Sequence, residues 1–341
     1  MRAAIYHSNR DVRVTELPVP SIGPGEALLR IESSGICGSD VVEWYRKRKA
    51  PLVLGHEVAG VLEAVGEGVT RFKPGDRVVA AHHVPCNTCR YCLAGHQSTC
   101  DTLRTTTFDP GGFCAKVRLP AINVDRGVFV LPDELSFDEG TFAEPLACAV
   151  RAQRIAGVRP GKSVLVLGTG IAGLLHVKLA AALGAGRILA TDVLEARRAA
   201  AQRFGAEAVF DGRGDVPRLV REANEGRGAD IVLVCASVAA VVQQAFRSVD
   251  RGGTILIFAL PDPGVDVPLP LYDLWTDGVT VTSSYAGPPR ETLEALELLR
   301  AHRVVVTDMI THRLPLAETP RGFALVADGR ECIKVIIRPQ E

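Results

Sequence analysis

Four cysteines crowd into fifteen residues: Cys86, Cys89, Cys92 and Cys100 follow the spacing C-x2-C-x2-C-x7-C. Thiolates in such a Gly- and Pro-containing loop can wrap a tetrahedral ion. Four sulfurs with no vacant position make a closed Zn2+ site that stabilises structure instead of reacting. Two disulfides would suit a reducing compartment poorly, and an iron–sulfur cluster is less suited to this spacing. The chain has nine cysteines. Cys114, Cys148, Cys235 and Cys332 sit in apolar contexts and are expected to be buried small hydrophobes.

A second chemistry is written in Gly168-Thr-Gly170-Ile171-Ala172-Gly173, which follows the apolar run 164–167 and opens an Ala/Leu-rich helical run. In that strand–turn–helix context G-x-G-x-x-G is a pyrophosphate cradle. The first glycine makes the tight turn, the second lets backbone approach the ligand, and the third lets the helix pack on the strand. The positive helix end then faces the ligand's charge. Asp192 ends the next β run, at the distance where an acid accepts hydrogen bonds from an adenosine ribose. A 2′-phosphate about 4 Å from that carboxylate would cost a few kcal/mol per unit charge, so NAD is expected over NADP. Arg197 and Arg198 argue the other way, since guanidinium groups can hold a 2′-phosphate.

A third set combines Cys37, in Gly-Ile-Cys37-Gly-Ser39-Asp40, with His56-Glu57, in Leu-Gly-His56-Glu57-Val. Beside a nucleotide-binding half, a mixed S/N/O set reads as a catalytic zinc site with room for water or substrate. Zinc has no redox chemistry of its own. It can polarise an alcohol oxygen, but two electrons must leave as hydride, and a nicotinamide is the acceptor this chain offers.

The elements that must position these groups fall into two textures. Up to about residue 150 the chain reads as short β segments, such as 26–32, 58–65 and 76–80, with Pro/Gly punctuation, expected to form a twisted barrel; residues 1–20 alternate like an edge strand. From 161 onward, apolar β runs (163–167, 187–191, 230–234, 254–260) alternate with helical runs (171–183, 195–204), the pattern of a parallel sheet covered by helices. A helix over 291–301, with Leu293, Leu296, Leu298 and Leu299 on its apolar side, and a terminal strand over 332–337 are expected to return to the first half. The 341 residues carry 39 basic and 39 acidic side chains. A net charge of zero, with only a short basic patch at Arg46 to Lys49, argues against nucleic acid as a partner. No stretch has the length of a membrane span or an export signal, so a cytoplasmic protein is expected.

Together these motifs resemble the zinc-dependent medium-chain alcohol dehydrogenase family, in the branch that holds sorbitol (polyol) and L-threonine 3-dehydrogenases. The matching residues are Cys37-Gly-Ser39-Asp40, Gly55-His56-Glu57, Lys73-Pro-Gly-Asp76-Arg-Val78, the cysteine lobe, Glu144-Pro-Leu146, and the glycine turn with Asp192. The resemblance covers nearly the full length. It implies an α/β architecture: a GroES-like β-rich catalytic domain (1–150, completed by 288–341) and a Rossmann, doubly wound NAD-binding domain (151–287). It further implies one catalytic and one structural Zn2+ per subunit. Cys37, His56 and Glu57 match the catalytic ligands, and Glu144 matches an acid that ligates directly or as ligands exchange; the order of Glu57 and Glu144 stays open. Ser39 matches the hydroxyl that takes the substrate proton, with a helix N-cap as its plainer reading. Asp192 and Arg197 match the adenosine-ribose pair, Ala172 lies at the pyrophosphate, and Phe258, Ala259, Ser284 and Tyr285 fall in segments that flank the nicotinamide.

One position departs from the pattern. Many relatives carry a histidine three residues after the relay hydroxyl, and here that residue is Val42. The proton would leave through the ribose and water, or through His82 or His83, whose plainer reading is ordinary surface or satisfied histidines. The expected activity is NAD-dependent oxidation of a polyol or cyclitol secondary alcohol to a ketone by a homo-oligomer, dimer or tetramer. L-threonine 3-dehydrogenase is the alternative, and a catalytically silent NAD-binding zinc protein is the alternative of another class.

Overall fold

The computed structural model describes residues 1–259 and 262–341. The chain forms two compact units, residues 1–147 with 286–341, and residues 148–285; the sequence reading had drawn these lines at 150 and 287.

The first unit is built on a sheet in the order Ile310–Pro315, Lys334–Arg338, Ala27–Gly35, Glu57–Val65, Arg77–Ala80 and Val128–Val130, with Lys116–Leu119 also pairing to Ala27–Gly35. A smaller sheet places Arg2–Ser8 between Asp11–Glu16 and Leu52–Val53. Of the segment expected as an edge strand, Asp11–Glu16 lies at an edge and Arg2–Ser8 is central. Ala3, Ala4 and Tyr6 are all buried there, which a strand open to water on one edge would not require. The register of Ala27–Gly35 against Glu57–Val65 sets Gly35 opposite Glu57, and Lys334–Arg338 sets Ile336 opposite Gly35. Chemistry-bearing residues from the two ends of the chain therefore meet at one place in the sheet.

The tail is locked in by packing and by charge. Phe323, on the helix Thr319–Asp328, packs against Tyr6 in a tilted and against Phe113 in an edge-on arrangement, at ring separations of 5.5 and 5.6 Å. The buried Asp138 accepts hydrogen bonds from Ser33 Oγ (2.7 Å), Arg313 Nε (2.6 Å) and Arg338 Nη2 (2.9 Å). Burial pushes the Asp138 carboxyl up, but these donors outweigh it and hold its pKa below the ordinary value. The expected helix runs over Pro289–Arg300 and buries Thr292, Ala295, Leu296 and Leu299. That 3- and 4-residue spacing leaves Leu293 on the other side, 56% exposed, which corrects its place in the apolar stripe.

The second unit is a parallel sheet in the order Ala208–Asp211, Arg187–Asp192, Ser163–Leu167, Ala229–Val234, Val249–Ile257, Thr280–Ser283. This is the doubly wound order: from Ser163–Leu167 successive strands are added toward one edge, and from Ala229–Val234 toward the other, and ligands of such sheets bind at the carboxyl ends of strands at that switch. All five residues of Ser163–Leu167 are buried, as a strand covered on both faces demands. The strand expected over 254–260 begins at Val249, and its last residue, Leu260, lies outside the described residues.

Candidate functional site

In the cysteine lobe, one sulfur from each of Cys86, Cys89, Cys92 and Cys100 lies within 4.8 Å of the others. The Cys86 sulfur is 3.9 Å from that of Cys92 and 3.6 Å from that of Cys100. A tetrahedron with Zn–S bonds of about 2.3 Å has edges of about 3.8 Å, so the donors fit zinc. Backbone N–H groups prepare the sulfurs: Cys89 N donates to Cys86 Sγ at 3.2 Å and Cys86 N to Cys100 Sγ at 3.4 Å. Hydrogen bonds from Thr88 and Cys89 pull the Cys86 thiol down to about 5. Burial and the neighbouring thiol of Cys89 push Cys92 up to about 12. Four crowded thiols cannot all release protons unaided, and a divalent cation among them is what would make each a thiolate.

The mixed set is assembled from distant segments. Cys37 caps the 3-10 turn Gly38–Val41: its sulfur accepts from Ser39 N at 3.4 Å, while Asp40 reaches back to Cys37 N at 3.1 Å. The cap is therefore Cys37 and not Ser39, whose plainer reading falls. Arg46, read from sequence only as part of a basic patch, donates Nη2 to Ser39 Oγ at 3.0 Å and Nε to Ser39 O at 2.9 Å. Cys37, His56 and Glu57 bring one donor atom each within 4.8 Å of one another. Buried Asp40 lies 3.4 Å from His56 Nδ1. Burial alone would lower the His56 pKa, but the Asp40 carboxylate and Cys37 overcome it and raise it well above the ordinary value. With Nδ1 turned to a carboxylate, Nε2 is left for a metal, the usual carboxylate–histidine–zinc arrangement.

Glu57 is paired with Lys334 inside the protein, their side chains 1% and 0% exposed. Gly35 makes the room: a methyl group there would collide with Glu57 Oε2 and with Lys334 Cε and Nζ. Lys334 escaped the sequence reading, yet a lone lysine inside Cys-Ile-Lys-Val-Ile-Ile is a signal, because buried lysines almost always have a partner. Glu144, in the first turn of Ala143–Ala156, falls in a different donor group, with His56 and His82. The three histidine rings form a stack, with centroids 4.6 Å apart for His56 and His82 and 3.8 Å for His82 and His83. His82 Nδ1 is shut off from water without a hydrogen-bond partner, so the reading of His82 as a surface or satisfied histidine is corrected. His83 Nδ1 lies 3.1 Å from Thr106 O, and burial lowers its pKa to about 4. Of the other thiols, Cys114 and Cys332 are buried, whereas Cys148 and Cys235 are only partly so.

In the second unit the glycine turn separates what the fold needs from what a ligand needs. Gly168 has φ +93°, and a Cβ there would lie 2.8 Å from the Ala236 Cβ; at Gly173 it would lie 1.9 Å from Gly168 O. Gly170, the N-cap of Ile171–Ala182, has ordinary φ, and a Cβ there would meet nothing nearer than Arg197 Nη1 at 3.8 Å. The space before Gly170 is a cradle that a side chain would fill, and backbone at that helix start suits a pyrophosphate. Asp192 Oδ2 accepts from Thr169 N (2.9 Å) and Oδ1 from Leu194 N (2.9 Å), with Arg197 Nη1 at 3.7 Å. Arg198 instead donates to Asp192 O and pairs with Asp211. Phe258 N and Ala259 N both donate to Val234 O, and Ser284 N donates to Ile257 O, so these residues sit at the carboxyl end of the sheet. Tyr285, the last residue of this unit, is 53% exposed. Behind the turn, His176 is fully buried against Gln153 and the edge of Phe258, which no sequence signal had marked.

Comparison with known proteins meets these sites from outside. Residues 23–132 match the alcohol dehydrogenase GroES-like domain, and residues 172–301 match the zinc-binding dehydrogenase domain. The chain is 32% identical to sorbitol dehydrogenase of Gallus gallus, over 98% of this chain and 96% of that one. It is 33% identical to L-threonine 3-dehydrogenase of Bacillus velezensis, over 99% of each. A zinc-binding dehydrogenase from Sinorhizobium meliloti 1021, solved bound to NADP, superposes with a TM-score of 0.87 at 28% identity, over 99% of each chain. No helix among the described residues is long and apolar enough to cross a membrane. Likeness over the whole length, on both domains, makes the conclusion direct: the chain belongs to the zinc-dependent medium-chain alcohol dehydrogenase family and is a zinc-binding oxidoreductase.

Proposed function

We propose that this enzyme reversibly oxidises a secondary alcohol of a polyol or cyclitol to a ketone with NAD, acting in the cytoplasm as a homo-oligomer. The observation that carries the reading is the coexistence of a closed four-sulfur group with an open Cys37–His56–carboxylate group in one chain of this family. In this reading Cys86, Cys89, Cys92 and Cys100 hold a structural Zn2+, while Cys37 and His56, with Glu57 or Glu144, hold a catalytic one. Bound there, Zn2+ supplies a Lewis acid for the substrate oxygen, and NAD supplies the acceptor for hydride.

The chain's own residues handle position and proton. Asp40 orients His56, and Lys334 neutralises Glu57 where no water can. Ser39 takes the substrate proton at Oγ. Arg46 only donates, so it occupies one lone pair of that oxygen and leaves the other to accept. With Val42 in place of histidine, the proton leaves Ser39 by the nicotinamide ribose and water. Gly168, Gly170, Ile171, Ala172 and Gly173 hold the pyrophosphate, Asp192 and Arg197 the adenosine ribose, and Phe258, Ala259, Ser284 and Tyr285 flank the nicotinamide. The occupation of Arg198 by Asp211 and a backbone carbonyl supports NAD over NADP. The strand Thr280–Ser283 ends the sheet, and beside it in sequence Leu271, Tyr272 and Trp275 are 68%, 75% and 79% exposed, which supports self-association there.

The test combines metal analysis with a rate panel. Two zinc ions per subunit, with NAD reduced faster by sorbitol, xylitol or an inositol than by L-threonine, and faster than NADP, is the expected result. Faster reaction with L-threonine would favour the second reading, which the relative from Bacillus velezensis supports. Unchanged turnover and NAD affinity in Cys37→Ser would remove the mechanism, while NAD binding without turnover on any alcohol would leave a silent binding protein. A monomer by sedimentation would remove the self-association.

A further inference from the structure

The carboxylate question left open by the sequence has a structural counterpart: His56 belongs to two donor groups. Cys37, His56 and Glu57 form one, and His56, His82 and Glu144 form the other, each with its donor atoms within the same 4.8 Å span. His82 stands out in the second group. Its ring lies beside that of His56, with centroids 4.6 Å apart, and beside those of His83 at 3.8 Å and Phe108 at 6.2 Å. Yet His82 Nδ1 is withdrawn from solvent and has no hydrogen-bond partner. A buried polar atom left unmatched usually marks a catalytic role or a missing water or ion. Glu57 is already matched by Lys334.

We propose that His82 is an additional donor to the catalytic metal ion, so that the pocket holds two overlapping stations: Cys37–His56–Glu57, and His56–His82–Glu144. The inference rests on the reading that Cys37 and His56 hold that ion. The stations differ in charge. The first pairs a thiolate with a carboxylate backed by Lys334, whereas the second has two neutral imidazoles and one carboxylate. The second set is the harder, nitrogen- and oxygen-based one, and it suits Co2+ as well as Zn2+. Ligand exchange around the shared His56 then needs no donor from outside the pocket.

The test uses the full-length holoenzyme with Co2+ exchanged into the catalytic site, zinc being kept in the cysteine lobe. His82→Phe keeps the ring and its stacking but removes the donor; His83→Phe is the control. The dissociation constant for Co2+ is expected to rise about tenfold or more in His82→Phe, in the range that loss of a supporting group at a metal site produces. The visible Co2+ absorption is expected to shift with it, and His83→Phe should match the parent in both. If His82→Phe also matches the parent in both, the proposal is overturned. Should that variant fold poorly by near-ultraviolet dichroism, His82→Asn gives the same two readouts with a small polar replacement. His56→Ala, which removes the donor shared by both stations, separates the two levels: loss of the second metal equivalent there with an unaltered His82→Phe rejects His82 alone, and retention of both equivalents rejects the underlying site as well.

Discussion

The two groups of metal donors in the catalytic unit are held in opposite ways. The cysteine lobe draws four sulfurs from fifteen consecutive residues and steadies them with its own backbone N–H groups. The mixed site gathers side chains of residues 37, 56, 57, 82 and 144 that could serve as donors, and side chains from still other places steady it: Asp40 on His56, Lys334 on Glu57, and Arg46 on the neighbouring Ser39. A backbone-held site depends on few neighbours and does one thing. A site held by side chains can be adjusted one residue at a time, at the cost of depending on all of them.

The contrast is broken most severely in the lobe. Cys89→Ser is expected to lose one zinc equivalent and most of the melting temperature's margin, because apparent binding energies of structural zinc reach about 10 kcal/mol and count directly toward folding. Retention of two zinc ions with an unchanged thermal transition would show that the lobe is not what that ion supports. Next in size, Lys334→Met should leave Glu57 buried without a partner and lower unfolding free energy by about 3–5 kcal/mol, with Glu57→Gln in the same chain restoring most of it. Denaturant titration of the single and double variants measures the coupling, and additive losses would mean the pair is not coupled.

Arg46→Leu sharpens the comparison with a smaller effect. If Arg46 orients the Ser39 hydroxyl, kcat should fall about tenfold with the KM for NAD unchanged, about the 1.4 kcal/mol of a charged hydrogen bond, and Arg46→Lys should recover part of the loss. Equal effects on kcat and on KM for NAD would point to general loosening. Smallest is Asp138→Asn, which keeps one acceptor oxygen and is expected to cost about 1 kcal/mol at pH 7. Asp138 has a depressed pKa in the folded chain, so its contribution is present above the ordinary carboxyl range and disappears as pH falls through the lower, folded value. The parent and the variant should therefore converge in stability in acid, which urea titrations at pH 7 and near pH 3 would read.

What could be read from sequence follows the same division. The lobe and the glycine turn are local: ligand spacing and strand–turn–helix context are both visible within twenty residues, and the structure puts those residues together. The parallel sheet of the second unit was legible as alternation, though its strand order was not, and its outer strands Ala208–Asp211 and Thr280–Ser283 were missed, being short and only partly buried or exposed. In the mixed site Cys37, His56 and Glu57 were grouped because a mixed S/N/O set beside a nucleotide-binding half suits a catalytic zinc, and the family resemblance added to that reading; nothing in their separation announces that they meet. Arg46 passed for surface charge, and His82 for an ordinary histidine. Lys334 passed for a strand residue because its partner lies 277 positions away. Long-range pairing of charges inside a sheet is set by register, and register is invisible until both strands are placed.

The glycine turn carries a last consequence. Architecture demands its first and third members, whereas the middle one, Gly170, stands in open space and is answerable only to what docks there. If a dinucleotide docks there as proposed, a descendant that gave it up could let that one site drift while keeping its outline intact, so the position would record a trade and its neighbours a shape.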